Sequence, residues 1–452
     1  MIDGGQISLA EGSDIIEKLK NGENVIVHPV DTDGAVTIDF QQNINAVSLN
    51  SSKGPTLDLY LKPNILAQGS YYFANFSVFA SGSPIAAANV ASAIALRAAL
   101  KENWSENLVQ RVTTSGSLVN FYNITEATDY ISNPALQGGG ILDTELFVES
   151  TLDVTPGFIA LNDSATNITE FTISLTNNAD KAQTYSISCN NSITLFSQDA
   201  NETNYRYSMY PFPVFGEANG ADVSFDKTSV TIEAHSTVNI TAIIYPPNEY
   251  YQEDETRLPI YGGYISITSN DNGKTSHVPF LGAASDMYEL PVQTFDPFYW
   301  KHFITGVGAH PNWRRCIMWE DGEILNGTGE VWMQMYMNSR IGSQLIDAFI
   351  VTKEWNETDL VWPPVDGENN FVGRIIGARN GEFPFYNAPR TNYTSGGHNF
   401  WDNWMGRKLA NGSILANGDY RLVVRQLKHF ADDLTKSESW WSHHSPWFTV
   451  NF

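Results

Sequence analysis

Few residues in this chain have the types and spacing that chemistry needs. His443 and His444 stand between Trp441 and Trp447, and adjacent imidazoles can begin a metal site. No third ligand is evident, so the pair reads as an exposed loop. His310 and Cys316 lie near each other, but two ligands make no site. Asp271 and Asp432-Asp433 offer oxygens without the graded ligand spacing of a calcium loop. A phosphate-binding glycine loop is missing from the sequence. Neither metal nor cofactor is therefore expected. That leaves Ser83, which precedes Pro84 at the head of an apolar run. A serine hydroxyl attacks a carbonyl only when a base takes its proton, and His28 is the one histidine upstream of it. Ser83 then reads as a helix N-cap and Pro84 as the first helical residue.

The elements around these residues change character along the chain. In residues 1–48, Asp14 is placed to cap a helix whose Ile15, Ile16 and Leu19 share a face, with Gly22 as its stop. Asn24 to His28 reads as a strand. In residues 49–148 the run from Pro84 to Leu96 is apolar nearly all round, which predicts a buried helix. A further helix is expected over 103–112, and Gly138-Gly139-Gly140 closes the region. From about 149 the period becomes two. Phe171, Ile173 and Leu175 alternate with Thr172, Ser174 and Thr176, and Val238, Ile240 and Ala242 alternate with Asn239 and Thr241. Asp271-Asn272-Gly273 between two such runs is a hairpin signal. Residues 149–287 are thus expected to form an antiparallel β-sandwich. In 288–452 the strands continue and eleven of the twelve tryptophans appear, which predicts a second, Trp-rich sandwich. Its strand 331–337 has two apolar faces and is expected to be buried on both sides. The tryptophans are expected to fill that core. If instead they are exposed, above all Trp401, Trp404, Trp440 and Trp441, the domain is a candidate binder of glycan or protein.

A resemblance rests on two motifs. Ser52-Lys53-Gly54-Pro55-Thr56 with Asp58, followed by Lys62-Pro63-Asn64-Ile65-Leu66-Ala67-Gln68-Gly69, is similar to a segment of subtilisin-like serine proteases. Gly82-Ser83-Pro84-Ile85-Ala86-Ala87-Ala88-Asn89-Val90-Ala91-Ser92 resembles the segment in which that family carries its nucleophile. Gly140-Ile-Leu-Asp143 resembles the end of such a catalytic domain. Ile7-Ser-Leu-Ala-Glu-Gly resembles the tail of a protease-associated insert. Thr155-Pro156-Gly157, Tyr261-Gly-Gly-Tyr264 with Val278-Pro279-Phe280, and Asn417-Gly418-Asp419-Tyr420 resemble motifs in the fibronectin-type-III-like domains that follow the protease in large cell-envelope members. The implied architecture is a partial α/β segment at 49–148, after a remnant of the insert at 1–48 and before the two sandwiches. The implied activity is secreted serine endopeptidase action on peptide or protein substrate.

The sequence departs from that pattern where the chemistry would be. In an ungapped alignment Pro84 takes the nucleophile position and Ser83 the position before it. Proline has no hydroxyl to attack with, and it lacks the backbone N–H that would serve an oxyanion hole. The family's Asp and His motifs do not occur upstream. The chain as written is expected to be an incomplete or inactive form with no intact catalytic residue. The alternative is a non-catalytic adhesion or binding module built on the sandwiches.

Composition adds a compartment. Fifty acidic residues face 26 basic ones, a formal net charge of −24, which repels nucleic acid and anionic membrane. Thirteen N-x-S/T sequons, at Asn50, Asn75, Asn103, Asn123, Asn162, Asn167, Asn190, Asn201, Asn239, Asn326, Asn356, Asn392 and Asn411, predict a secreted glycoprotein. The start, MIDGGQISLA, has the features of no leader peptide, so a longer protein is expected to precede it. No run of about twenty apolar residues predicts a membrane span. Cys189 and Cys316 fall in different predicted domains and are expected to be free thiols.

Overall fold

The computed structural model describes residues 9–23, 46–48, 51–70, 72–74, 78–101, 103–122, 127–196, 214–215, 220–247, 257–290, 301–304, 315–318, 323–325, 331–337, 342–359, 361–376, 383–388, 400–405 and 408–451. It divides into two compact units, 1–44 and 45–452. The described residues are mostly β-strand, with several sheets and few helices.

In the first unit the described element is helix α1, Leu9–Lys20. It begins earlier than expected. Asp14 lies inside it and pairs with Lys18 at 2.6 Å one turn on, so it does not cap. Gly22 follows at φ +78, the left-handed conformation that ends a helix. The predicted strand 24–28 lies outside the described residues.

The second unit begins with helices α2 (Ser83–Leu100), α3 (Leu108–Thr114), α4 (Pro134–Gln137) and α5 (Thr144–Glu149). Among the described residues of 49–148 the strands form short antiparallel pairs, such as 120–122 with 127–131. Parallel pairing is limited to a bridge between Leu66 and Ile141. The buried helix expected here is corrected. In α2 only Ala93 and Arg97 are buried, and Leu96 and Leu100 are 46% and 57% exposed. One side alone of the helix is covered, where Ala93, Val90 and Ile94 meet Phe147, Val148 and Val112. By length and composition α2 could also cross a membrane, at a mean hydropathy of 1.3. Arg97 is turned inward, and its Nη1 donates to the carbonyls of Phe147 and Val148 at 3.3 and 3.2 Å. Those are the orphan carbonyls of α5, so the charge ties one helix to the end of the other.

The sandwich expected next is present. Strands Asp222–Phe225, Ser236–Tyr245, Glu170–Asn177 and Leu152–Thr155 form one sheet. Val214–Phe215, Leu195–Phe196, Pro259–Ser269, Gln183–Asn191 and Ser229–Ile232 form the main run of the other, and Thr275–Ala283 pairs with Pro259–Ser269 beside it. Ile173, Leu175, Ile240 and Ala242 point between them against Ile187, Ile265, Ile267 and Phe280, as the period-two pattern required. Gly273 turns the 259–269/275–283 hairpin at φ +72.

The sandwich is docked on the segment that precedes it. Tyr264 is fully buried on the outer face of its sheet, and its hydroxyl donates to the Ser132 carbonyl at 3.1 Å. Asn133 Nδ2 donates to the carbonyls of Ile193 and Ile260 at 2.9 and 3.1 Å, while its Oδ1 caps α4 by accepting from Ala135. A Cβ at Gly262 would meet the Phe280 carbonyl and the Pro134 ring, and one at Gly157 would meet Gln110 of α3. The glycines of the two sequence motifs are therefore where backbone approaches backbone.

In the last part, Arg315–Met318, Lys301–Ile304, Val331–Met337 and Phe400–Met405 form a four-stranded sheet whose side chains lie outside the described residues. The two-faced burial expected of 331–337 falls there. A second sheet runs Glu323–Leu325, Phe448–Val450, Gly418–Leu427, Ser343–Thr352 and Phe371–Arg374, with Trp440–His444 also paired to 418–427. Its junction with the earlier parts is mixed, with Phe430 and Trp441 packed on the cluster that holds Leu59, Leu61, Met287 and Leu290. Lys428 Nζ lies 4.2 Å from the Tyr288 ring centre and 4.8 Å from that of Trp441. Buried His429 has Nδ1 2.9 Å from the Leu57 carbonyl and Nε2 3.2 Å from that of Gly342.

Candidate functional site

The two motif segments lie against each other. Gly82 N donates to the Gly69 carbonyl at 2.7 Å, and Asn89 Nδ2 donates to that of Gln68 at 2.7 Å. A Cβ at Gly69 would collide with Gly82 O and Ala86. Loop 62–69 is thereby held on the first turns of α2. Gly54 N donates to the Ala135 carbonyl at 2.7 Å, and Thr56 Oγ1 to Asp58 at 2.7 Å. Lys62 Nζ reaches Asn64 Oδ1 at 2.7 Å, and Pro55 and Pro63 are half-buried beside them. Gly138, Gly139 and Gly140 pass under this loop, with Gly139 N donating to Asn64 O at 2.9 Å. Asp143 caps α5 by accepting from Leu146 N at 2.9 Å.

At the helix head the register differs by one residue from expectation. Gly82 is the N-cap, Ser83 begins the helix and makes no side-chain cap bond, and Pro84 sits in the first turn. Ser83 is therefore corrected from a capping residue to an exposed helical one. Residue 83 presents a hydroxyl, and the ring at 84 has neither a hydroxyl nor a backbone N–H.

The structure reveals a different polar constellation in the Trp-rich part. His443 and His444 are half-buried on strand Trp440–His444, which corrects the exposed loop expected for them. His444 Nε2 is 2.5 Å from Glu357 Oε1, and Arg425 Nη2 donates to Glu357 Oε2. Ser442 Oγ donates to the same Oε2 at 3.1 Å. Trp355 stands edge-on to His444, ring centres 5.5 Å apart, and the Arg425 guanidinium lies over Trp355 and Trp440. The register explains the set. Val423, Arg425 and Leu427 face the same way as His444, Ser442 and Trp440, opposite them across the pairing. Residues 352–359 and 361–366 bring Trp355, Glu357 and Trp362 to that face.

Chemically the set is a clamp. Although burial opposes ionisation, His444 and Arg425 hold the Glu357 carboxyl below its usual range, so it stays charged. Its hydroxyl neighbour, Ser442, donates to the same carboxylate that His444 and Arg425 hold. Glu357 was not found from sequence, because 87 residues separate it from His444 and nothing local marks the pair. Trp440 and Trp355 are 4% and 8% exposed and Trp441 is half-buried, while Trp401 and Trp404 side chains lie outside the described residues.

A second hydroxyl–imidazole pair, Ser266 Oγ and His277 Nδ1 at 3.0 Å, lies on the outer face of the first sandwich. Ser266 is 3% exposed, so a substrate does not reach it. Burial pushes His277 down to about 4, and burial together with His444 pushes His443 down to about 4. His429 is also lowered by burial. These rings fold neutral, whereas in the unfolded chain they titrate near 6.5. Below that pH the unfolded state binds the extra protons, so stability is complete above about 6.5 and is lost as pH falls towards 4. The loss expected is about 3 kcal/mol for each of His277 and His443. Urea midpoints across this window check it. A His277→Gln variant should show a shallower slope, and an unchanged slope would refute the assignment.

No metal-holding cluster of His, Cys, Asp or Glu occurs among the described residues. Cys189 is a half-buried free thiol raised to about 12 by burial, and the Cys316 side chain lies outside the described residues.

Residues 159–281 match the family model of an Fn3-like domain. No curated protein matches the chain. Among solved structures, the PapD-like domain 7 of human CEP192 is 9% identical at a TM-score of 0.20, covering 30% of this chain and 86% of its own. The Pseudomonas aeruginosa CupB2 chaperone is 6% identical at 0.20, covering 65% and 98%. The class 5 fimbriae chaperone CfaA is 10% identical at 0.23, covering 65% and 98%. At such scores these likenesses say nothing about what this chain does.

Proposed function

We propose that this chain is a subtilisin-related polypeptide without hydrolytic activity of its own, in which residues 49–148 are a catalytic-domain segment whose nucleophile position is Pro84. The chain then works as a non-catalytic β-sandwich module of a secreted protein. The observation that carries the reading is Pro84 in the first turn of α2, with loop 62–69 held against that turn and the neighbouring Ser83 exposed. A ring nitrogen there supplies neither a nucleophile nor an oxyanion N–H, whatever other segments contribute. The Fn3-like match at 159–281 supports it, since such domains are typical of the carboxyl-terminal parts of subtilisin-like proteases.

Peptide or protein substrate belongs to this reading only if another segment supplies the missing Asp, His and nucleophile. The experiment is exposure of the chain to a serine-directed fluorophosphonate. No labelling is expected, and labelling that disappears in Ser83→Ala would overturn the proposal.

A further inference from the structure

The sequons differ in what the fold has already done with their amides. Asn162 and Asn167 make the contrast within one loop. Asn162 is half-buried at φ +61, and its Nδ2 donates to the Thr166 carbonyl at 3.3 Å. The middle residue of its sequon, Asp163, is 1% exposed and accepts from Met287 N at 2.9 Å and Thr166 Oγ1 at 2.6 Å, which fixes the triplet in place. Five positions on, Asn167 is exposed, Ile168 beside it is 49% exposed, and no side-chain hydrogen bond holds Asn167 among the described residues.

The same test divides the other described sequons. Asn190 is exposed, but its Nδ2 donates to Ser266 Oγ at 2.9 Å, beside the Ser266–His277 pair. Asn411 is engaged at both ends, with Nδ2 on Asp366 at 2.7 Å and Oδ1 accepting from Ser413 N at 2.8 Å. Asn103 and Asn356 are exposed and make no side-chain hydrogen bond among the described residues. Asn239 is exposed on the outer face of its sheet, where only Oδ1 is used, accepting from Ser174 Oγ at 2.9 Å.

From this we infer that Asn103, Asn167, Asn239 and Asn356 carry N-linked glycans in the folded protein, and that Asn162, Asn190 and Asn411 do not. The inference rests on the reading that the chain passes through a secretory compartment. In the transfer, Nδ2 loses a proton to a base of the transferase and forms a bond to the sugar C1. The bond from C1 to a polyprenyl diphosphate breaks, and its electron pair leaves on the diphosphate. Transfer precedes folding, so the fold acts as the filter. The sugar replaces one of the two Nδ2 protons, so on Asn162, Asn190 or Asn411 it must fit where the Thr166 carbonyl, the Ser266 hydroxyl or the Asp366 carboxylate already stands within hydrogen-bond distance of that nitrogen, and at Asn190 the crowded partner, Ser266, is itself buried. Chains so modified fold poorly and are removed before export.

The test is expression of the full chain behind a heterologous leader in a glycosylating eukaryotic host. Secreted, folded protein is deglycosylated enzymatically, and Asn-to-Asp conversion is mapped by fragment mass spectrometry. Conversion is expected at Asn103, Asn167, Asn239 and Asn356. Comparable conversion at Asn162, Asn190 or Asn411, or none at the four predicted sites, would overturn the inference. Thr169→Ala, which removes the Asn167 sequon without touching the asparagine, should abolish one gel-mobility step, and Ser164→Ala should leave mobility unchanged. The leader forces secretory entry, so this result is independent of where the natural protein resides. That reading fails separately if the protein, expressed from its natural gene, is retained inside its own cells.

Discussion

In Gly139→Ala, amides in residues 51–69, 108–122 and 127–143 are expected to lose protection from hydrogen exchange, with a stability loss above about 4 kcal/mol. The physical reason is space. A Cβ at Gly139 would land on the carbonyl of Thr113, which is backbone and cannot swing aside. The same stretch carries Gly139 N→Asn64 O, Leu66 N→Gly140 O and Leu142 N→Leu66 O at 2.9, 2.8 and 2.8 Å. A displacement of residue 139 therefore breaks the hold on loop 62–69, which in turn lies on the head of α2. Gly273→Ala is the control. That glycine has φ +72 but open space around it, so the expected cost is only about 1–2 kcal/mol of left-handed strain. Exchange in Gly139→Ala indistinguishable from the parent would mean that the two motif segments are not supported by the glycine run.

Much of the first sandwich was readable from its residues. Strand 170–177 alternates because its sheet has a core on one side and solvent on the other, and the Asp271-Asn272-Gly273 turn needs only local conformation. The motif Tyr261-Gly-Gly-Tyr264 could be noticed but not explained, since what crowds its glycines, the Phe280 and Asn190 carbonyls and the Pro134 ring, lies away in sequence. Helix α2 misled for a related reason. An all-apolar pattern tells what a helix is able to bury, and the described fold covers only the side that meets α5. The cap moved from Ser83 to Gly82, a shift that Pro84 tolerates because the first-turn N–H groups have no partner within the helix. Asp14 pairs with Lys18 one turn along because the helix already begins at Leu9, which places Asp14 inside it. His443 and His444 lie on a strand because Val423 and Val424 stand opposite them, and pairing of that kind leaves no mark within five residues of sequence.

The ionic layer beneath residues 352–359 and 361–366 was invisible for the same reason, and it carries the second large expected effect. Asp347 is fully buried, and Arg374 grips it with Nε at 2.9 Å and Nη2 at 3.0 Å. Burial raises the Asp347 carboxyl above its ordinary range, and the opposing pull of Arg374 does not restore it. A pair in that condition contributes little against an apolar replacement of the same volume, but it is costly to break from one side. Asp347→Ala leaves the Arg374 guanidinium half-committed beside Trp362 and removes a counter-charge felt by buried Arg425. The expected loss is about 3–5 kcal/mol in urea unfolding. The double variant Asp347→Leu/Arg374→Leu should recover to within about 1 kcal/mol of the parent, giving strong coupling in the double-mutant cycle. Phe349, which lies on the same face of the 343–352 strand and stacks on Phe371 at 5.0 Å between ring centres, offers an apolar surface that the two leucines can join. Additive losses would show instead that Asp347 and Arg374 stabilise the sheet separately, each through its own surroundings.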